Sequence, residues 1–99
     1  MPSVTSLATL DELRQHVQAT LCDRDHLDPA NTPLRENLIL RGGKPCGLFF
    51  ESRGPRLLKT FAIWSCQESR VLFYDSTGAR FGETRLSESP DPEALAALA

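Results

Sequence analysis

An even set of cysteines is missing from this chain. It has three, Cys22, Cys46 and Cys66, so complete internal pairing is impossible. They also lack the Cys-x-x-Cys spacing of a zinc or redox site. Both absences count against a disulfide-stapled secreted scaffold and lead us to expect reduced thiols in a cytoplasmic protein. Long apolar runs are missing as well. No stretch approaches the roughly 18 residues of a membrane-spanning helix, so no membrane partner is expected. The start, MPSVTSLATLDELRQ, has neither the basic n-region nor the apolar h-region of a secretory signal. A strong charge of one sign is also absent. The net charge is -2, and an overall negative chain is not drawn nonspecifically to nucleic-acid phosphate.

What is present fits one small domain. The 99 residues, 40% hydrophobic and 24% charged, can bury a single core with a modest stability margin. The charge is patterned. Residues 1–34 balance to -3, residues 35–85 to +4 and residues 86–99 to -3. A basic middle between acidic ends leaves a local basic surface open as an expectation.

Helix signals come first. Thr9 and Glu12 form a capping box, each able to bond a backbone amide of the first turn. Leu10, Leu13, Val17 and Leu21 then recur at helical spacing. We expect an N-terminal arm over 1–8 and a helix over 9–22. CDRDHLDPANTPL reads as a loop, in which Thr32-Pro33 could open one helical turn. An antiparallel sheet is expected over 37–86. Gly42-Gly43 marks a two-residue hairpin turn, Ser52-Arg53-Gly54-Pro55 a second turn, and LLKTFAIWSC and RVLFYD two strands. Asp75-Ser76-Thr77-Gly78 reads as a three-residue hairpin loop with a bulge. Residues 87–99 form a linker and a short helix begun by Asp91-Pro92-Glu93. The terminal EALAALA loosely resembles small apolar tails read by bacterial degradation machinery, and a short capped helix explains it as well. The expected fold class is α+β in two layers, an N-terminal helix on one face of a four- to five-stranded antiparallel meander sheet.

Turn geometry suggests a register. A three-residue loop at Ser76 pairs Tyr74 with Arg80, Phe73 with Phe81 and Leu72 with Gly82. A loop over Gln67–Ser69 pairs Ile63 with Phe73 and Trp64 with Leu72. Opposed residues share a face. Phe61, Ile63, Val71, Phe73 and Phe81 would then meet the helix. Ala62, Trp64, Leu72, Tyr74, Arg70, Arg80 and Gly82 would take the other side. A four-residue loop at Gln67 would exchange the faces of the Leu57–Cys66 strand. The second face could also be covered by the linker, the 23–36 loop or the C-terminal helix.

Chemistry-bearing motifs are weak. RGGKPCG, Arg41–Gly47, is not a P-loop, because the Ser/Thr and the following helix are absent. Cys46 would need a base or a positive site to act as a nucleophile, and no Cys-His signature supplies one. Cys22, Asp23, Asp25, His26 and Asp28 fail the calcium-loop and zinc-ligand patterns. Two histidines and scattered carboxylates define no acid–base site.

The sequence therefore points to a non-catalytic protein-binding or regulatory module, without metal or cofactor. Trp64, Arg70, Leu72, Tyr74 and Arg80 have the composition of an interaction surface. Arg41, Lys44, Arg53, Arg56 and Lys59 form a secondary basic patch. The partner would be another protein or a second copy of the chain. The alternative is a single-stranded RNA or DNA bound by the same basic-aromatic face, although no RNP-like motif is present.

Overall fold

The computed structural model describes residues 3–24, 34–53, 59–91 and 93–97. Its elements are β1 (Ser3–Ser6), α1 (Leu10–Arg24), β2 (Leu34–Arg41), β3 (Lys44–Arg53), β4 (Lys59–Ser65), β5 (Arg70–Tyr74), β6 (Arg80–Glu88) and α2 (Glu93–Ala96). The expected Thr32-Pro33 helical turn and the Gly54-Pro55 corner lie outside the described residues.

The fold is α+β, with one main helix on a six-stranded mixed sheet of order β1-β6-β5-β4-β3-β2. This corrects the expected four- to five-stranded meander. The meander itself, β2 to β6, is antiparallel throughout. The added strand is β1, which the sequence reading left as an arm. It pairs parallel with β6, Ser3 opposite Thr84 and Val4 opposite Arg85. A parallel neighbour requires a long crossover, and here the crossover is α1 with the whole meander.

Local chemistry starts α1 as expected, with one shift. The Thr9 hydroxyl accepts from the Glu12 amide at 3.1 Å. The Glu12 carboxylate accepts from the amide of Ala8 at 3.2 Å, one residue upstream of the expected partner. Leu13, Val17 and Leu21 are fully buried against the sheet. Arg14 adds a polar clamp, with Nε donating to Oε1 of Glu36 at 2.6 Å and Nη2 to Oε2 at 3.0 Å. This fork-on-fork geometry fixes the helix over β2. The paired carboxylate holds the Arg14 pKa above its ordinary value.

The register of β4 departs from expectation. Ser65 pairs with Arg70, so the connection is the four-residue loop 66–69, closed by the Ser69 amide on the Ser65 carbonyl at 3.1 Å. Ile63 therefore lies opposite Leu72, and Trp64 opposite Val71. The whole strand is turned over relative to the three-residue alternative, because side chains alternate with period two. Trp64, Ala62, Val71 and Phe73 enter the core beneath α1 with Leu48 and Phe50. Phe61 and Ile63, expected in the core, emerge on the opposite face.

A bulge adjusts the β5–β6 hairpin. Tyr74 pairs with Arg80 as expected, but Phe73 pairs with Gly82 and Leu72 with Glu83. Phe81 is the extra residue on β6 and still packs against Phe73, ring centroids 6.1 Å apart. The Asp75 carboxylate organises the turn by accepting from the amides of Thr77 and Ala79 at 2.9 and 3.0 Å.

The C-terminal elements close the same side of the sheet. Trp64 Nε1 donates to the Ser89 hydroxyl at 3.2 Å, which satisfies the indole's one donor inside the core. Pro90 and Leu95 are buried. Asp91 caps α2 by accepting from the Glu93 amide at 2.9 Å.

Three glycines are set by backbone needs. Gly42 and Gly43 have φ of 59° and 81°, the left-handed pair of a type I′ turn. Gly47 follows a bulge in β3, where Ile39 pairs with Gly47 and Leu40 with Pro45. A Cβ on Gly47 would collide with the Trp64 carbonyl oxygen.

Stability measurements separate the two faces. Trp64→Ala should cost about 3–5 kcal/mol by opening a core cavity, and Gly47→Ala about 1–3 kcal/mol through backbone displacement. Phe61→Ala should cost less than Trp64→Ala. Urea midpoints at unchanged slope measure each. A larger loss from Phe61→Ala would contradict the face assignment.

Candidate functional site: the open face of the sheet

Both helices lie on the Trp64 side, so no described element packs on the other side of the sheet. Cross-strand pairing arranges that open face in rows. One row runs Arg35, Glu51, Phe61, Tyr74, Arg80. The next runs Asn37, Phe49, Ile63, Leu72, Glu83. A third runs Ile39, Gly47, Ser65, Arg70, Arg85.

The centre is aromatic and aliphatic. Phe61 stacks on Tyr74 with centroids 5.3 Å apart and planes 17° apart. Phe49 stacks on Phe61 at 5.7 Å and 29°. Phe61 thus has a ring on each side. Ile63 and Leu72 continue the apolar surface, and all five side chains are half-buried. The cluster is rimmed by charged side chains.

The rim is mixed but mostly basic. Arg70 Nε donates to Glu68 at 3.1 Å and its Nη1 to Glu83 at 3.2 Å. These carboxylates, Glu68 foremost, hold the Arg70 pKa above its ordinary value. Arg70 and Arg85 face each other directly, and Glu83 bridges them, lying 4.0 Å from Arg85. Lys59 lies 3.8 Å from Glu51. Arg35 and Arg80 are exposed and have no ion pair among the described residues.

Of the residues singled out in the sequence, Arg70, Leu72, Tyr74 and Arg80 lie together on this face. Trp64 does not. It is fully buried beneath α1, and the four-residue loop at 66–69 is the reason. Gly82, also expected here, faces the core beside Phe73. The secondary basic residues do not form one patch. Arg41 and Lys44 oppose each other at the β2–β3 tip, while Arg53 and Lys59 pair at the far end of β3. Arg56 lies outside the described residues.

Sequence reasoning missed Phe49, Phe61, Ile63 and Arg35. Two of these were recoverable from the Gly42-Gly43 turn. Counting outward from it places Asn37 opposite Phe49 and Arg35 opposite Glu51, once the bulge before Gly47 is allowed for.

The other candidates gain no chemistry from the structure. Cys46 is half-buried, and its carbonyl accepts from both the amide and the thiol of Cys66 at 3.1 and 2.9 Å. Among the described residues no group of three or more His, Cys, Asp or Glu side chains converges as a metal site would. Asp25, His26 and Asp28 lie outside them. No helix among the described residues is long and apolar enough to cross a membrane.

No family model, curated protein or solved structure matches this chain.

One titration is tied to the fold beneath this face. His16 on α1 meets the Thr84 hydroxyl at 3.0 Å and packs in a tilted, edge-type contact with Phe73, ring centroids 6.1 Å apart. Burial lowers its pKa below the usual value of 6.5. On unfolding that penalty vanishes, so the unfolded chain binds the proton first as pH falls. Stability should therefore drop as pH falls from about 6.5 through the folded value. His16→Gln should flatten this drop in urea titrations between about pH 8 and pH 5. Parallel curves for the two proteins would show that His16 is not the cause.

Proposed function

We propose that this chain is a small, non-catalytic protein-binding module and that the open face of its sheet is the binding surface. The observation that carries this reading is the Phe49–Phe61–Tyr74 stack on a face that no described element covers. Interface cores are rich in aromatic residues and arginine, and so is this face. Leu72, Tyr74, Arg70 and Arg80 belong to the surface, joined by Phe49, Phe61 and Ile63. A cytoplasmic location belongs to the same proposal, since none of Cys22, Cys46 and Cys66 forms a disulfide among the described residues. Self-association through this face is one version of it, because an isologous contact needs only a single patch.

Single-stranded nucleic acid is the second reading. The basic rim favours it, since arginines on a sheet can follow a phosphate backbone. Base stacking also needs exposed ring faces. Here Phe61 is flanked on both sides by its neighbours, which turns ring edges outward. That preference for apolar contact over stacking puts a protein partner first.

The decisive variant is Phe61→Ser combined with Leu72→Ser. Both side chains are only half-buried, so circular dichroism and cooperative unfolding should be retained. Proteins captured by the wild type, or its own dimer in sedimentation, should be lost. An Asp23→Ser control on the helix side should keep them. Capture and oligomeric state unchanged by the double variant would overturn the proposal. Salt-steep binding to oligothymidylate, lost in the same variant, would favour the nucleic-acid reading.

A further inference from the structure

Charge is sorted between the two sides of this molecule. On the helix side Asp11, Glu12, Asp23, Asp91 and Glu93 are exposed, and Arg14 is committed to Glu36 and Asp11. On the open face Arg35, Lys59, Arg70, Arg80 and Arg85 stand against Glu51 and Glu83. The excess is positive, and Arg35 and Arg80 are two of its exposed members with no ion pair among the described residues. They occupy opposite ends of one row, with Glu51, Phe61 and Tyr74 between them. Four strand spacings of about 4.8 Å separate β2 from β6, so the two guanidinium-bearing positions are roughly 19 Å apart.

We infer that the partner of the open face is an acidic protein segment with an apolar centre, its carboxylates meeting Arg35 and Arg80 and its apolar side chains covering Phe61, Tyr74 and Leu72. This rests on the proposal that the open face is the binding surface. Charge complementarity selects the occupant. Two open faces brought together would oppose their own positive rims, which costs free energy. An acidic partner relieves that repulsion. It also supplies the counter-charge that Arg35 and Arg80 lack among the described residues. An extended segment advances about 3.3 Å per residue, so about six residues bridge the two arginines. Complementary charge of this sort speeds encounter and fixes orientation, while the apolar centre supplies most of the contact energy.

Two synthetic peptides test this. One has a phenylalanine–leucine centre flanked by glutamates, and its twin has lysine for every glutamate. Binding is read by calorimetry and by amide chemical shifts of the full chain at low and high salt. The glutamate peptide should bind at least about tenfold more tightly than the lysine twin, and the advantage should shrink with salt. Arg35→Glu with Arg80→Glu should reverse the preference, while Phe61→Ser with Leu72→Ser should remove binding of both peptides.

Equal affinity for the twins, with both lost in the Phe61/Leu72 variant, would overturn the acidic partner and leave the open-face reading standing. Glutamate-peptide binding untouched by the Phe61/Leu72 variant would overturn both. Tighter binding of oligothymidylate than of the glutamate peptide would overturn the inference in favour of nucleic acid. Concentration-dependent assembly of the chain alone, blocked by Arg35→Glu with Arg80→Glu, would overturn it in favour of another copy's acidic helix side.

Discussion

Trp64 sits opposite Val71, its indole N–H held by Ser89 and its ring roofed by α1, and the identity of each side of the sheet follows from that placement. A tryptophan is the largest apolar payload a small core can hold. Once it points toward the helix, alternation sends Phe61 and Ile63 the other way. Those two then meet Phe49 across β3 and Leu72 and Tyr74 across β5. The aromatic surface on the open side is thus the complement of the core. It exists because β4 has large apolar residues at odd and even positions alike.

The helix side is built to be finished within the chain. Leu13, Val17 and Leu21 supply the apolar contact, the Arg14–Glu36 fork fixes the lateral position of α1, and Leu95 of α2 fills the remaining gap. Two polar groups there find partners close by, His16 with Thr84 and Trp64 with Ser89, while the buried hydroxyls of Ser52 and Thr60, opposite each other on β3 and β4, have no hydrogen-bond partner among the described residues. The open side has the opposite character. Its apolar side chains are half-buried, and its charges are incompletely matched. A chain of this size has one core's worth of coverage to deploy, and all of the described coverage is on one side.

Much of this was readable beforehand, and the failures have physical causes. The α1 stripe and its Thr9 cap, the Gly42-Gly43 turn, the Asp75 turn and the pairing of Tyr74 with Arg80 all follow from local rules, each contained within a few neighbouring residues. The β4 register hinged on one residue in the 66–69 loop, and loop length is not fixed by its composition. Period two turned that small ambiguity into an exchange of faces, which removed Trp64 from the candidate surface and added Phe61. β1 was invisible for another reason. Ser-Val-Thr-Ser has no apolar alternation, and its partner lies at the far end of the sequence. The bulge at Phe81 shifted Gly82 and Glu83 but left the faces of β5 intact, so Arg70, Leu72 and Tyr74 were placed together from sequence.

The parallel seam between β1 and β6 gives the molecule a mechanical character. The N-terminal end of β1 and the C-terminal end of β6 lie at opposite ends of this two-strand seam. A pull applied to those ends loads the seam lengthwise, so its hydrogen bonds share the force and must yield together. A hairpin seam pulled at its open end would instead unzip one bond at a time. A four-residue strand added at the edge of the meander therefore places β1 and β6 in shear, the geometry in which a sheet best resists extension.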